Sequence, residues 1–276
     1  MKKSIIFIFI IVFLLILSVG NRDTSVVKEA EVNSSVSEVE DKSTVTEVEK
    51  KVVTVEASKP IVVEEAITKK IICIDPGHQL EGDYSTEPIG PNSDIEKPKV
   101  SNGATGIDTK TPEYELTLEV SLKLRDRLEA EGFVVILTRE IHDVNLSNSE
   151  RAKIANKNAS DIFIRIHADQ RGSSEHNGIS VLCPSKDNEY TTEIYDNSNQ
   201  LAHMLLESLL LETEATDMGI SYRDDISGFN WSEVPVVLVE LGFMSNPVED
   251  KKMSTEAYQN KLVEGMLNGI LEYFKE

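Results

Sequence analysis

The chain has 276 residues, and its 28 Lys and Arg against 48 Asp and Glu give a formal net charge of −20 at pH 7. This excess of negative charge repels a phosphate backbone and argues against nucleic acid as a partner. The two cysteines, Cys73 and Cys183, are too few for a disulfide-rich scaffold or a zinc module with cysteine ligands. We expect Cys73 to be a small buried apolar residue, and a Cys73–Cys183 disulfide is the less favoured alternative.

Residues 1–20 have the pattern of an export signal. Lys2 and Lys3 precede an almost unbroken apolar run over residues 5–17, and small residues follow at 18–20. A charged start, a short apolar stretch and small residues after it are typical of a secretory signal peptide. An uncleaved N-terminal anchor is the alternative, which would attach the chain to the membrane. Both interpretations place the rest of the chain outside the cytoplasm.

Residues 21–69 have a different composition. They are rich in Val, Glu, Ser, Thr and Lys, and they contain no aromatic residue and no glycine. A charged segment without a second apolar face to pack against is typical of an extended tether. We therefore predict a disordered acidic linker over 21–69.

Residues 70–276 alternate between apolar runs and helical patterns, which predicts a single α/β domain. The predicted strands are 71–74, 133–137, 162–166, 179–182 and 236–241. The predicted helices are 112–131, 147–158, about 193–212 and 255–274. Continuous apolar strands interleaved with helices are typical of a sheet covered on both faces. The expected fold is a mostly parallel, mixed, twisted sheet with helices on both faces.

Local signals mark the ends of two of these helices. Pro112 stands where the first helical residue is expected, and Gly132 stands where a C′ glycine belongs. Ser147 or Ser149 can cap the helix over 147–158.

Four polar residues lie where strands end or helices begin. His78 follows the first strand, His167 ends the strand over 162–166, and Glu240 lies within the strand over 236–241. Glu113 lies in the first turn of the long helix. Sites in open α/β sheets collect at the carboxyl ends of the strands, so we expect these side chains to share one edge of the sheet.

Taken singly, most of these residues have ordinary explanations. Glu113 alone is typical of a carboxylate that stabilises a helix N-terminus, and His167 alone is typical of a histidine at the edge of a core. Glu240 is less ordinary, because an ionised carboxylate among Val and Leu is costly without a partner. Together, two histidines and a glutamate with a second glutamate nearby match a catalytic zinc site that has three protein ligands and one open position.

Four segments, in order, resemble the zinc-dependent N-acetylmuramoyl-L-alanine amidases that cut bacterial cell walls. The resemblance covers nearly all of residues 70–276, and an HExxH pair typical of other metalloproteases is absent. The four segments are 71–79 (IICIDPGHQ), 112–140 (PEYELTLEVSLKLRDRLEAEGFVVILTRE), 146–169 (LSNSERAKIANKNASDIFIRIHAD) and 234–250 (VPVVLVELGFMSNPVED).

Carried over residue by residue, the resemblance implies that His78, Glu113 and His167 ligate Zn²⁺ and that Glu240 is the catalytic carboxylate. Glu115 is the fallback for the ligand at Glu113. The implied reaction is hydrolysis of the amide bond between N-acetylmuramic acid and L-alanine in peptidoglycan, with Glu240 as general base on a zinc-bound water. The implied protein is a secreted, wall-degrading monomer whose catalytic domain spans 70–276, with residues 1–20 as the only segment for membrane attachment.

Two alternatives stay open. A zinc carboxypeptidase-like peptidase acting on wall peptides could use the same ligands and the same glutamate base. A wall-binding relative could have kept the fold and lost turnover. The release of free C-terminal amino acids would favour the first alternative, and a zinc-loaded but inactive protein would favour the second.

The chain departs from the family pattern at two positions. Asp169 stands where asparagine is usual, and Arg165 replaces a small residue, so we expect both to alter the wall of the cleft and its charge. Residues 80–111 are rich in proline and glycine and are expected to form a long loop near the site. Arg139 and Arg151 are expected to make structural ion pairs, with substrate carboxylates as the alternative.

Overall fold

The computed structural model describes residues 69–170 and 172–275. The predicted signal over 1–20 lies outside these residues, and so does the predicted linker over 21–69 apart from Lys69. None of the helices in the described part combines the length and the apolar character that crossing a bilayer requires.

The elements follow one another along the chain largely as their apolar patterns predict. In chain order they are β1 (Ile71–Pro76), β2 (Asp83–Pro88), β3 (Glu96–Val100), α1 (Glu113–Ala130), β4 (Val134–Leu137), α2 (Asn148–Lys157), β5 (Ile162–Asp169), β6 (Ile179–Pro184), α3 (Tyr195–Thr213), β7 (Asp217–Arg223), α4 (Ser227–Asn230), β8 (Val236–Phe243), α5 (Pro247–Met253) and α6 (Glu256–Tyr273).

Six strands form one sheet in the order β4-β1-β5-β8-β6-β7. Strands β4, β1, β5 and β8 run parallel to one another, whereas β6 is antiparallel to β8 and parallel to β7. The sheet is therefore mostly parallel and mixed, which confirms the predicted fold class. The carboxyl ends of β1, β5 and β8 meet at one edge, where His78, His167 and Glu240 are found.

Alternating residues of the strands face two separate apolar layers. Ile72 and Ile74 of β1 pack in a layer with α1, α3 and α6, whereas Cys73 packs in the opposite layer with α2 and α4. The predicted cover of helices on both faces is therefore present. Cys73 and Cys183 are both buried and free, on strands that β5 and β8 separate, so the alternative of a disulfide between them is wrong.

The helix ends match their local signals with one difference. Ser147 caps α2 and forms a capping box with Glu150, and Gly132 follows α1 with a φ of 93°. Pro112 is the residue before α1 and not its first residue, because its ψ of 147° is extended and it pairs with Thr105 in an isolated bridge.

The long loop predicted over 80–111 is partly wrong, because it contains the antiparallel hairpin β2–β3. The sequences of these strands, DYSTEP and EKPKV, are polar and carry prolines, so no apolar alternation reveals them. Strand β7 was not predicted either, and most of its residues are only half-buried.

Candidate metal centre

His78 lies directly beyond β1 in a left-handed backbone conformation, with a φ of 59°. This conformation is uncommon for a residue other than glycine and is often found at functional sites. Its ring Nδ1 lies 2.9 Å from the carbonyl oxygen of Ser101. A carbonyl can only accept, so Nδ1 carries the proton and Nε2 keeps its lone pair. The Nε2 atom of His78 is thus free to act as a metal ligand.

His167 lies near the end of β5 and is held in a different way. Its ring lies over Gly77, where a Cβ atom would stand 2.6 Å from Cε1 of the imidazole, so only glycine fits at that position. Burial lowers the pKa of His167 to about 4, although a hydrogen bond with Glu113 opposes the shift. The imidazole is therefore neutral at physiological pH, which is the form that binds metals.

Glu113 is the first residue of α1 and is 3% exposed. The backbone N–H of Ala168 donates to its Oε1 at 3.0 Å, and the N–H of Ala104 donates to its Oε2 at 2.7 Å. Burial by itself would raise the pKa of this carboxyl, but its interactions with the two neighbouring imidazoles hold the pKa below its ordinary range. Glu115, the fallback, is exposed on the same turn of the helix.

The three side chains bring one donor atom each to the same point. Nε2 of His78 and Nδ1 of His167 both lie 3.1 Å from Oε1 of Glu113, and the two nitrogens lie 3.1 Å from each other. Ligands of a tetrahedral Zn²⁺ with bonds of about 2.0–2.1 Å lie about 3.3 Å apart, so this triangle fits such an ion. Among the described residues, these three form the group of His, Cys, Asp and Glu side chains that could hold a metal.

Glu240 lines the same pocket, whose volume is about 290 Å³. On β8 it stands beside His167 of β5 on one side and opposite Ser180 of β6 on the other. Tyr84 and Asn102 from the hairpin region and Asp169 and Gln170 from the end of β5 complete much of the pocket wall. The pocket therefore holds three convergent donors and one further carboxylate.

A buried ionic cluster supports β1 beneath His78. The carboxylate of Asp75, which is fully buried, accepts from Arg151 at 2.7 Å and from Arg165 at 2.9 Å. Burial would raise the pKa of Asp75, but the two guanidinium groups and the hydroxyl of Thr138 hold the pKa well below its ordinary range. Arg151 also donates to the carbonyl of His78 at 3.0 Å, so the cluster is tied to the backbone of that residue.

These contacts decide three of the expectations for arginine. Arg151 makes the predicted structural ion pair. Arg139 instead donates to the backbone carbonyls of Pro76, Gly77 and Tyr114. The expectation that Arg165 alters the cleft wall is wrong, because its side chain is buried against Asp75.

The residues after β3 contribute to the site in a way that the sequence did not indicate. The carbonyl of Ser101 orients His78, and the N–H of Ala104 holds Glu113. Gly103 lies between them with a φ of 80°, and a Cβ there would stand 2.8 Å from the His78 ring and 2.9 Å from Oε2 of Glu113. Two of these three contributions come from backbone atoms, which every residue has, so the residue types do not predict them. Gly103 was the one residue whose type could have indicated the close approach.

Fold and site together define an α/β protein with an open candidate metal centre at the carboxyl edge of its sheet. The sequence model of the N-acetylmuramoyl-L-alanine amidases matches residues 72–272. The crystal structure of the N-acetylmuramyl-L-alanine amidase Ami1 from Mycobacterium smegmatis is similar, with a TM-score of 0.67 and 28% identity over 75% of this chain and 97% of that one.

Two curated proteins of Bacillus subtilis are also similar. The germination-specific N-acetylmuramoyl-L-alanine amidase is 28% identical, over 76% of this chain and 82% of that protein. The uncharacterized protein YqiI is 30% identical, over 59% of this chain and 75% of that protein. This chain belongs to the N-acetylmuramoyl-L-alanine amidase family, which confirms the resemblance and the enzyme class inferred from the sequence.

Proposed function

We propose that this chain hydrolyses the amide bond between N-acetylmuramic acid and L-alanine in peptidoglycan, with a Zn²⁺ ion held by His78, Glu113 and His167 and with Glu240 as general base. The observation that carries the proposal is the triangle of donor atoms at 3.1 Å beside Glu240 in one pocket. The names of the Bacillus subtilis and Mycobacterium smegmatis relatives support the choice of bond.

The donor set matches the chemistry of zinc. Two neutral imidazoles and one carboxylate are common ligands of catalytic zinc, and they leave a fourth position open. When bound, the ion supplies Lewis acidity toward the scissile carbonyl and lowers the pKa of water. His78 donates a hydrogen bond to Ser101, and Glu113 accepts hydrogen bonds from two backbone N–H groups. These bonds orient both ligands without the ion.

Glu240 moves the proton in this scheme. Its carboxylate accepts a proton as water attacks the carbonyl carbon, and it gives that proton to the nitrogen of L-alanine as the C–N bond breaks. The products are the lactyl carboxylate on the sugar and a peptide whose new N-terminus is an ammonium group. Both protons of the attacking water end on that nitrogen, so atoms and charges balance without a covalent intermediate. His167 lies beside Glu240 on the neighbouring strand, so a proposed zinc ligand and the proposed base line the same pocket.

Peptidoglycan lies outside the cytoplasm, so the proposal includes export. In this scheme residues 1–20 are a signal peptide or an anchor, residues 21–69 are the tether, and residues 70–276 act on the wall as a monomer. The family match favours this amidase over the carboxypeptidase-like alternative.

Mass spectrometry of digested peptidoglycan tests the proposal. The zinc-loaded chain should release peptides that begin with a free L-alanine amine and leave glycan strands with an unsubstituted lactyl group. A chelator should stop the reaction, and added zinc should restore it. The appearance of free C-terminal amino acids instead would indicate the peptidase, and a zinc-loaded protein without products would indicate the wall-binding relative.

A further inference from the structure

The orientation of His78 depends on a segment that has no apolar core of its own. The carbonyl of Ser101, which accepts from His78, lies just beyond β3. Within residues 69–170 and 172–275, strand β3 pairs with β2 alone, in a two-stranded sheet. An isolated two-stranded sheet is marginally stable, so its position has to be set by contacts with the rest of the domain.

One such contact lies two residues before Ser101. The side-chain Nδ2 of Asn148, the first residue of α2, donates to the carbonyl of Lys99 at 2.7 Å. On its other side, Oδ1 of Asn148 accepts from Nη2 of Arg165 at 2.6 Å. The amide orientation is unambiguous, because a carbonyl can only accept and a guanidinium can only donate.

Arg165 is itself held firmly. It is 3% exposed, and its Nε donates to the fully buried carboxylate of Asp75 at 2.9 Å. A Cβ at Gly228 would stand 2.2 Å from Nη1 of Arg165, so the backbone packs closely on the guanidinium. A continuous series of charge-assisted and neutral hydrogen bonds therefore runs from the core strands, through Asn148, to the strand that precedes Ser101.

We propose that Asn148 is a positioning residue of the metal centre, because its amide connects the buried Asp75–Arg165 pair to β3 next to the carbonyl that orients His78. Arg165 has the same role one step further from the metal. This inference rests on the proposed zinc function. It also gives Arg165, one of the two departures from the family pattern, a role within the domain that does not involve the cleft wall.

The substitution Asn148→Asp separates this role from others. The carboxylate still accepts from Arg165, but it has no proton to donate to the carbonyl of Lys99. The added negative charge by itself would strengthen the binding of a cation, so a weaker affinity for zinc cannot be an effect of the charge. Asn148→Ala removes the same hydrogen bond without adding a charge and serves as the second variant.

Asn156→Asp is the matched control. Asn156 lies on the same helix, donates to the carbonyl of Trp231 at 2.9 Å and accepts from the N–H of Glu233 at 2.9 Å. The substitution removes the same kind of hydrogen bond near the other end of α2, where a negative charge is unfavourable. The control should therefore lose at least as much stability as Asn148→Asp without any contact to the metal centre.

The measurement is the dissociation constant for zinc alone, by competition with a chromophoric chelator, alongside the unfolding temperature of each full-length variant. Asn148→Asp and Asn148→Ala should bind zinc about tenfold more weakly, the lower end of the effect of losing an outer hydrogen-bond partner. Asn156→Asp should bind zinc as the wild type does.

Two results would overturn the inference alone, while the wild type still binds zinc and cleaves peptidoglycan. One is an unchanged zinc affinity in both Asn148 variants. The other is a loss of affinity that follows the unfolding temperature equally in the Asn148 and Asn156 variants, which would mark the contact as merely structural. A wild-type protein that binds no zinc would overturn the proposed function first, and this inference with it.

Discussion

His167 and Glu240 stand on neighbouring parallel strands of the sheet, whereas Ser101 and Ala104, which contact His78 and Glu113, belong to the segment after the polar hairpin β2–β3. The strands are buried on both faces and are held by two apolar layers. The hairpin segment, residues 83–111, is held by individual hydrogen bonds to α2, α5 and the loop before β8. The sheet thus supplies reactive side chains on a rigid base, and the hairpin segment supplies the backbone groups that aim them.

The sheet and the hairpin segment also differ in the contacts that stabilise them against substitution. Asp250 of α5 accepts from the N–H groups of Asp108 at 2.7 Å and Thr109 at 2.8 Å, which secures the loop that leads to Glu113. The indole of Trp231 donates to the carbonyl of Pro88 in β2 at 2.9 Å. Each such bond is worth about 1–3 kcal/mol, so the hairpin segment should be easier to perturb than the sheet.

The largest expected effect lies on the sheet side, in the pair Glu240→Gln and His167→Ala. Glu240→Gln should retain zinc but lose hydrolysis of purified peptidoglycan by about 10²–10⁴-fold, because the amide cannot accept the proton. His167→Ala should lose both zinc and hydrolysis. Zinc content by elemental analysis and product release measure the two effects, and near wild-type cleavage by Glu240→Gln would contradict its assignment as the base.

The next effect concerns stability beneath the site. Asp75→Asn should lower the free energy of unfolding by about 3–5 kcal/mol, because it leaves Arg151 and Arg165 buried without a negative partner. Denaturation by urea measures the loss. The exposed pair of Asp126 with Arg125 is the control, and Asp126→Asn should cost less than about 1 kcal/mol. Equal losses in the two variants would contradict the buried cluster.

The pH dependence of this cluster has a definite sign. The pKa of Asp75 is lower in the folded protein than in the unfolded chain. Its contribution to the free energy of unfolding is therefore fully present above the ordinary carboxyl pKa near 3.8. It is lost as the pH falls from there through the folded-state pKa. The difference in unfolding free energy between the wild type and Asp75→Asn should therefore shrink only below about pH 4.

The smallest expected effect lies on the hairpin side, in Gly103→Ala. The positive φ at this position costs a side chain about 1–2 kcal/mol, and the new Cβ would press on His78 and Glu113. Gly132→Ala is the control, because its φ is also positive but nothing lies within 4 Å of the added atom. Gly103→Ala should lose at least as much stability in urea as Gly132→Ala, because it adds the close contacts to the same backbone cost. Only Gly103→Ala should lose zinc affinity, and equal zinc affinities would show that the hairpin side does not shape the site.

Much of the fold was accessible from the sequence because its signals are local. The apolar runs of β1, β5 and β8 predict buried strands without any knowledge of their tertiary contacts. The positions of His78 and His167 near the ends of β1 and β5 can be read directly from the sequence. The hairpin was missed for a physical reason. Its strands contain few apolar residues, and long-range contacts such as those of Lys97 with Asp225 and of Trp231 with Pro88 hold it in place.

The candidate site likewise has features that local sequence predicts and features that depend on long-range contacts. The residue types of His78, Glu113, His167 and Glu240 are written in the chain, and the order of strands and helices was sufficient to expect them at one edge of the sheet. The packing of the whole domain was needed to bring Glu113 and not Glu115 to the two imidazoles, to bury Arg165 beneath them, and to set backbone groups against the ligands. Side-chain chemistry is specific to each residue, but every residue carries the same peptide group. Which peptide groups meet a ligand therefore depends on contacts between segments far apart in the chain.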